Sequence, residues 1–280
     1  MPNSRLRQLA KFIRVFGITG GIRLWCALLI QLALRSGSIV LPVPGLAAPI
    51  RLRRQDLPIF WQIMVMQEND FQSLPQAIWV KDAYRGVLSE GNRPVIVDCG
   101  GHIGLSAVWL ASHFPQAVVY CIEPDITNFK LLQQNTEAYT NVTPLHGGVW
   151  NRSCRLEISN PLSGSASFRL QEASEPVSDE QSDLLRGYTI LEILRREEAN
   201  RLFLVKIDIE GAETKVFQES TEWLELATML IIELHDWLMP GQGTSRNFFK
   251  RVAENKFDVV LRGENLLLFK APDLNETTGQ

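Results

Sequence analysis

The sequence predicts a doubly wound α/β fold, a mostly parallel sheet with helices on both faces. Three observations carry this. From Pro94 onward, short apolar runs alternate with helix-patterned segments, the order that builds strand–helix–strand units. The runs are continuously apolar, as in Val95-Ile96-Val97, which marks strands buried on both faces. Acidic residues and glycines gather where the runs end, the edge at which ligands bind in this architecture.

The N-terminal third is of another kind. Ile22 to Leu34 is a 13-residue apolar run interrupted by Arg23 and Gln31 and preceded by Arg5, Arg7, Lys11 and Arg14. A bilayer span needs about 20 residues, and no convincing small-residue cleavage site follows. The segment is therefore expected to be an amphipathic helix packed on the domain or on a partner chain, in preference to lying on a membrane surface. Ser38 to Val43 and Ala48 to Arg53 flank Pro44-Gly45 as a hairpin. Asp56 is placed to cap a helix reaching about Gln67, with Ile59, Phe60, Ile63, Met64 and Met66 as its apolar residues. The break at Glu90 to Pro94 sets the boundaries: a helical and hairpin extension over 1–90, the α/β domain over 91–272, and a polar tail over 273–280.

Within the α/β domain, Val95 to Val97 is the first strand, followed by a helix from about Ile103 to His113. Ala117 to Ile122 is the next strand, then a helix capped by Asp125 and running to about Tyr139, then a strand at Val142 to Leu145. Cys154 to Ile158 and Ser165 to Leu170 read as a hairpin, and Gln171 to Asp183 as a polar, acidic loop. Thr189 and Glu192 have capping-box spacing and open a helix. Leu202 to Ile207 and Met229 to Leu234 are the fourth and fifth strands; Phe257 to Leu261 and Leu266 to Phe269 form a closing hairpin.

Composition narrows the function. Of 280 residues 45% are apolar, and 28 basic against 31 acidic residues leave a net charge of −3. Nucleic-acid binders carry a basic excess or face; only a local group at Arg51, Arg53 and Arg54 resembles one. Cys26, Cys99, Cys121 and Cys154 lack CxxC spacing and read as free thiols of a reducing, cytoplasmic setting. His102, His113, His146 and His235 form no local metal motif.

The strand at Val95 to Val97 runs into Asp98-Cys99-Gly100-Gly101-His102-Ile103-Gly104, a D-x-G-x-x-x-G loop. Dinucleotide sites need glycines at i, i+2 and i+5 to bring backbone donors onto a pyrophosphate, and that triple is absent here. An acid-led loop instead suits a cofactor without phosphate and with a cationic amino-acid end. Glu123, 25 residues after Asp98 at the end of the next strand, is placed to accept ribose hydroxyls. A purely structural account has Gly100 and Gly104 only permitting close helix–strand packing.

Four motifs resemble the FkbM family of methyltransferases: V-D-C-G-G-H-I-G-L-S at Val97 to Ser106, E-P-x-x-x-N-F-x-x-L-x-x-N from Glu123 through Asn128 to Asn135, K-I-D-I-E-G-A-E at Lys206 to Glu213, and I-E-L-H ending at His235. The likeness covers about Val95 to Lys270, with an echo in Leu52 to Asp70. One departure is His102, where the family usually has Asn. The resemblance implies a Rossmann-like class I methyltransferase fold, with a seven-stranded sheet whose last strand is antiparallel. It implies S-adenosylmethionine as donor and usually a hydroxyl oxygen on a sugar or other small molecule as acceptor. By the same likeness Asp98, Gly100, His102 and Gly104 belong to the cofactor loop, Glu123 to the ribose, and Gly148 and Val149 to the adenine.

The ends of the fourth and fifth strands carry Lys206, Asp208 and Glu210, and Glu233 and His235. Alternating residues share a face, and charges on apolar strands are costly unless paired or used. They are expected to form the acceptor site: Asp208 or His235 as base, Lys206 as orienter, Glu210 and Glu233 as contacts. The alternative is a Lys206–Glu233 ion pair, with Glu210 and Glu213 in a network at a helix start. Metal-free catalysis is favoured over a divalent ion held by Asp208, Glu210, Glu233 and His235. The expected activity is O-methylation of a small molecule or sugar. Competing readings are a nitrogen, protein or glycan acceptor, and a non-catalytic cofactor-binding or scaffold protein.

Overall fold

The computed structural model describes residues 3–34, 37–159, 170–173, 184–196 and 200–272. The chain opens with α1 (Asn3–Ala33), then the antiparallel hairpin β1 (Ile39–Leu41) and β2 (Ile50–Leu52). A 3-10 turn at Arg54–Asp56, the short α2 (Leu57–Phe60), a π-helical turn at Trp61–Val65 and α3 (Ala77–Ser89) complete the extension. Next come β3 (Arg93–Cys99), α4 (Leu105–His113), β4 (Val118–Glu123), α5 (Ile126–Thr136) and β5 (Val142–His146). A small excursion follows: β6 (Gly148–Val149), β7 (Cys154–Ile158), β8 (Leu170–Glu172) and β9 (Leu185–Tyr188). The chain returns through α6 (Ile190–Leu194), β10 (Asn200–Ile207), α7 (Glu213–Val216), α8 (Trp223–Leu226), β11 (Met229–Glu233), α9 (Arg246–Ala253), β12 (Phe257–Arg262) and β13 (Asn265–Lys270).

The central sheet has seven strands in the order β12-β13-β11-β10-β3-β4-β5. β13 alone runs against its neighbours β11 and β12; the other pairings are parallel. The doubly wound fold, the closing hairpin and the antiparallel last strand are thus as the sequence predicts. Alternate residues face opposite layers. Ile96, Val119, Leu204, Ile231 and Phe269 pack with α3, α4, Leu132 of α5 and the extension. Val95, Val97, Tyr120, Val205, Leu230 and Leu268 pack with α6, α8 and α9. Two predicted caps are present: the Asp125 side chain accepts from Asn128 N (2.7 Å), and Thr189 Oγ1 from Glu192 N (3.0 Å).

Several elements differ from expectation. The segment after Asp56 is not one capped helix. Asp56 closes the 3-10 turn, accepting from Arg53 N at 2.7 Å and pairing with the Arg53 guanidinium at 2.8 Å. Its carboxylate is thereby committed before any helix begins. The helix capped by Asp125 ends at Thr136 rather than Tyr139. β7 pairs with Leu170–Glu172, so that partner strand begins where the expected one ended. Residues 165–169 of the expected hairpin, 174–183 of the acidic loop and the tail at 273–280 lie outside the described residues. α3 and β9 carry no expectation from the sequence. α1 is also longer than the predicted apolar run: Arg5–Ala33 is long and apolar enough to cross a membrane by length and composition, with a mean hydropathy of 1.6 over its most apolar 18 residues. It is not straight, because Gly17 breaks it with φ 73° and ψ 169°.

Candidate active site

The loop after β3 is shaped by backbone constraints. Gly100, His102 and Gly104 all have positive φ, at 86°, 50° and 86°. At Gly100 a Cβ would sit 1.8 Å from the Asp208 carbonyl oxygen, so only glycine lets β10 approach. His102 occupies the left-handed region, where Asn, Asp and His are the favoured non-glycine residues. Replacing the family's usual Asn by His therefore keeps the turn. The loop's donors are used internally: Gly100 N and Gly101 N donate to Ile122 O (3.0 and 2.8 Å), Gly104 N to Gly101 O (2.8 Å), and His102 N to Glu123 Oε2 (2.8 Å).

Glu123, at the tip of β4, is buried and held from three sides. Besides His102 N, its carboxylate accepts from Asp125 N (2.9 Å) and Asn128 Nδ2 (3.2 Å). Burial pushes its pKa up to about 7, against the pull of these hydrogen bonds. A carboxylate offers about four acceptor positions, so this arrangement leaves room for about one more donor. The Glu123 and Asn128 of the second motif are thus direct partners. Its final Asn135 does something else: it bonds Arg51 N (2.7 Å), Arg51 O (2.9 Å) and Ile103 O (2.8 Å), tying β2 of the extension to the glycine loop.

A cleft of about 790 Å³ opens at the carboxyl ends of β3, β4 and β10. Gly100, His102, Glu123, Gly148 and Val149 line it, as do Asp208 and Glu210. Ile122, Pro124, Leu170 and Ile209 supply apolar wall, and Ile59 reaches it from the extension. The sequence gives no cue to Ile59 as a site residue; it sits among apolar residues indistinguishable from core. Asp98 and Gly104 are not on this wall. Asp98 is fully buried below the loop, where its Oδ2 accepts from Cys121 Sγ (3.4 Å) and its Oδ1 lies 3.7 Å from Lys206 Nζ. Gly104 is the N-cap position of α4.

Beside the cleft lies a charged cluster. Lys206, buried, donates to Asp208 Oδ2 at 3.1 Å. Among the described residues, Lys206 pairs with Asp208 and Asp98, rather than with the Glu233 of the structural alternative. Burial opposes charge on both members, but Lys206 and His235 hold Asp208 below the ordinary carboxylate range, and Asp208 and Asp98 hold Lys206 above its own. His235, 2% exposed, donates from Nδ1 to Glu213 Oε1 at 2.6 Å, and Glu213 is 1% exposed. Its Nε2 lies 3.6 Å from Glu233 Oε1, 3.7 Å from Asp208 Oδ1 and 4.0 Å from Glu210 Oε2. Burial pulls the His235 pKa down, but Glu213, Asp208 and Glu210 overcome it and raise it to about 9. Burial and the Asp208 charge raise Glu233 to about 7. One ligand atom each from Asp208, Glu233 and His235 lies within 4.8 Å of the others.

All five residues expected at the acceptor end, Lys206, Asp208, Glu210, Glu233 and His235, therefore meet in one place. Glu213 was expected only as part of a helix-start network, yet it fixes the imidazole. Glu210 and Gly211 both have positive φ (52° and 95°), a reversal that turns Glu213 back under the strand end. The E-G pair was the available signal for it.

A sheet of this order, with a glycine loop at the first strand tip and an acid at the second, is the architecture that the sequence resemblance implies for a methyltransferase. Comparison with known proteins agrees. The model of the methyltransferase FkbM domain matches residues 98–258, and the chain belongs to that family. It is 26% identical over 220 residues to the hexuronic acid methyltransferase AglP of Haloferax volcanii, covering 76% of this chain and 82% of that protein. It is 25% identical over 174 residues to methyltransferase sdnD of Sordaria araneosa, covering 51% of this chain and 66% of that one. The solved methyltransferase FkbM of Methylobacillus flagellatus aligns at a TM-score of 0.43 and 19% identity, over 77% of this chain and 59% of that one. The chain thus spans about three fifths of that structure's length.

Proposed function

We propose that this methyltransferase transfers the methyl of S-adenosylmethionine to a hydroxyl oxygen of a sugar or similar small molecule. The observation that carries the acceptor half is His235: a buried imidazole oriented by Glu213, with its second nitrogen turned to the charged edge of the cleft. An imidazole held this way takes a proton in a fixed direction once it is itself deprotonated, which its pKa of about 9 places on the alkaline side.

The residues fit the cofactor. Backbone donors of the glycine loop are bonded within the protein, so they are not poised to cradle a pyrophosphate. The cleft combines apolar walls with carboxylates, which suits a cationic, phosphate-free nucleoside. Glu123 would hold the ribose, and Gly148, Val149 and Leu170 would border the adenine. When bound, S-adenosylmethionine supplies a methyl already activated for displacement, so the chain's task is mainly to position the reactants. Asp208, tied to Lys206 and held acidic, is a weak base and serves to orient. The deprotonated Nε2 of His235 takes the acceptor's single proton as the oxygen attacks, and Glu233, 3.6 Å away, offsets the positive charge this leaves on the ring. With Asp208, Glu210 and Glu233 around this point, a neutral hydroxyl is a better acceptor than an anion. The relative named for hexuronic acid makes sugars the class to test, and the acidic surroundings put neutral sugars ahead of uronic acids in that panel.

The test is calorimetry with S-adenosylhomocysteine and NAD, followed by methyl transfer across a panel of sugar hydroxyls. Binding of NAD but not S-adenosylhomocysteine would overturn the reading. Metal-free chemistry predicts full activity in the presence of a chelator; loss of activity, restored by a divalent ion, would assign the Asp208, Glu233 and His235 group to a metal instead.

A further inference from the structure

The second half of α1 is held to the body by one face only. Phe12, Leu24, Trp25 and Leu28 are buried; Phe12 packs against Trp25 and Trp61, with ring centroids 5.4 and 5.7 Å away. Arg54 Nη2 donates to Leu32 O at 2.7 Å. Opposite this face, Ile18, Ile22, Cys26, Ile30 and Leu34 recur every fourth residue and are exposed; Ile18 and Leu34 are each 71% exposed. Spacing of four keeps such residues on one side of a helix. Among the described residues of this arc, only Thr19 and Arg23 interrupt the apolar surface.

The chain before Asp56 contains nine arginines and lysines and no acidic residue, although the whole protein carries a net charge of −3. Arg5, Arg7, Arg14 and Arg23 are exposed. A second copy docking face to face would bring these cations together. A surface of anionic headgroups would neutralise them while taking up the isoleucines.

The break at Gly17 argues against a span. The two halves of α1 fold against each other so closely that a Cβ on Gly21 would lie 2.6 Å from the Phe12 carbonyl oxygen. From Ile18 to Ala33 the straight part is about 24 Å long at 1.5 Å per residue, short of a hydrocarbon core of about 30 Å.

We propose that the outer face of α1 seats on an anionic lipid bilayer, holding the enzyme at a membrane surface without crossing it. The full chain should co-sediment with vesicles of phosphatidylcholine containing phosphatidylglycerol, and high salt should weaken this. Pure phosphatidylcholine should bind at least tenfold less. Ile18→Gln, Ile22→Gln and Ile30→Gln together should reduce binding at least tenfold while leaving the circular dichroism and S-adenosylhomocysteine affinity unchanged. Arg7→Gln with Arg14→Gln should cost about fivefold per cation removed. Equal binding to both vesicle types, binding to neither, or a dimer that the triple glutamine variant dissociates would overturn the proposal. Resistance to carbonate extraction would also overturn it, in favour of a span.

Discussion

His235 gathers more opposing charge than any other side chain of the site. Its pKa, near 9, and that of Glu233, near 7, are both raised by the fold. Activity that needs a deprotonated acceptor should rise with pH between about 7 and 9. Glu213→Gln removes the strongest support for the imidazolium, so this limb should move toward lower pH while the rate falls; an unmoved limb would take Glu213 out of the site. His235→Gln should cost about 10²–10⁴-fold in rate with S-adenosylhomocysteine affinity retained. Stability runs the other way. A group whose pKa is raised on folding stabilises the protein below its unfolded value and loses that contribution as pH rises through the folded one. For Glu233 the loss falls between 4.5 and about 7, and for His235 between 6.5 and about 9. Glu233→Gln should therefore flatten the lower part of the profile of melting temperature against pH. Glu123→Ala should weaken S-adenosylhomocysteine binding at least tenfold, about 1.4 kcal/mol, measured by calorimetry. At this scale the sequence was readable where charge stands on or just beyond an apolar strand, as at Lys206, Asp208 and His235. It was not readable for Asp98, because whether an acid at a strand tip faces the ligand or the adjacent strand depends on packing beneath the loop. Here Lys206 and Cys121 draw it inward.

Between residues and the whole sit the elements, and the glycine loop shows what one of them tolerates. Gly100→Ala combines a φ of 86° with a Cβ 1.8 Å from the Asp208 carbonyl oxygen. It must push β10 away from the loop, and should lower both melting temperature and activity. Gly104→Ala has the same φ, but its closest neighbours, Leu132 and Thr136, lie at 3.3 Å and need give way only slightly; it should cost mainly backbone strain, on the order of 1 kcal/mol. Equal effects on stability would show that the close approach at Gly100 is not limiting. The parallel strands were legible because continuous apolar runs separated by capped helices admit few other folds. The segment after Asp56 was less so. Its apolar residues fit a helical period, but the π-helical turn at Trp61–Val65 follows no local code and arises from packing Ile63, Met64 and Val65 inward. The small sheet of β6, β9, β7 and β8 escaped because two of its pairings, β6 with β9 and β7 with β9, join segments far apart in the chain.

Across the whole molecule, the N-terminal extension and one face of the sheet share a single core. Leu24, 0% exposed, belongs to the same cluster as Ile96 and Phe269. Leu24→Ala should cost about 2–5 kcal/mol by chemical denaturation, in one cooperative transition; a separate early transition would show that the extension unfolds independently. The order of the sheet has a further consequence, in time rather than in space. β13 lies between β11 and β12, so it enters the sheet after both of its neighbours have been synthesised. Phe71, near the start of the chain, closes its part of the core against Phe269 in that last strand, at a centroid distance of 6.1 Å. During synthesis the edge of β11 stays unpaired, and the aromatic pocket around Phe71 stays open, until Asn265–Lys270 has left the ribosome. The chain therefore finishes folding after translation has passed this strand, and the open β11 edge is where a nascent chain would be captured by a chaperone or would aggregate. Ribosome-bound chains arrested before Asn265 should be cleaved readily by protease, and chains with Lys270 clear of the exit tunnel should be protected.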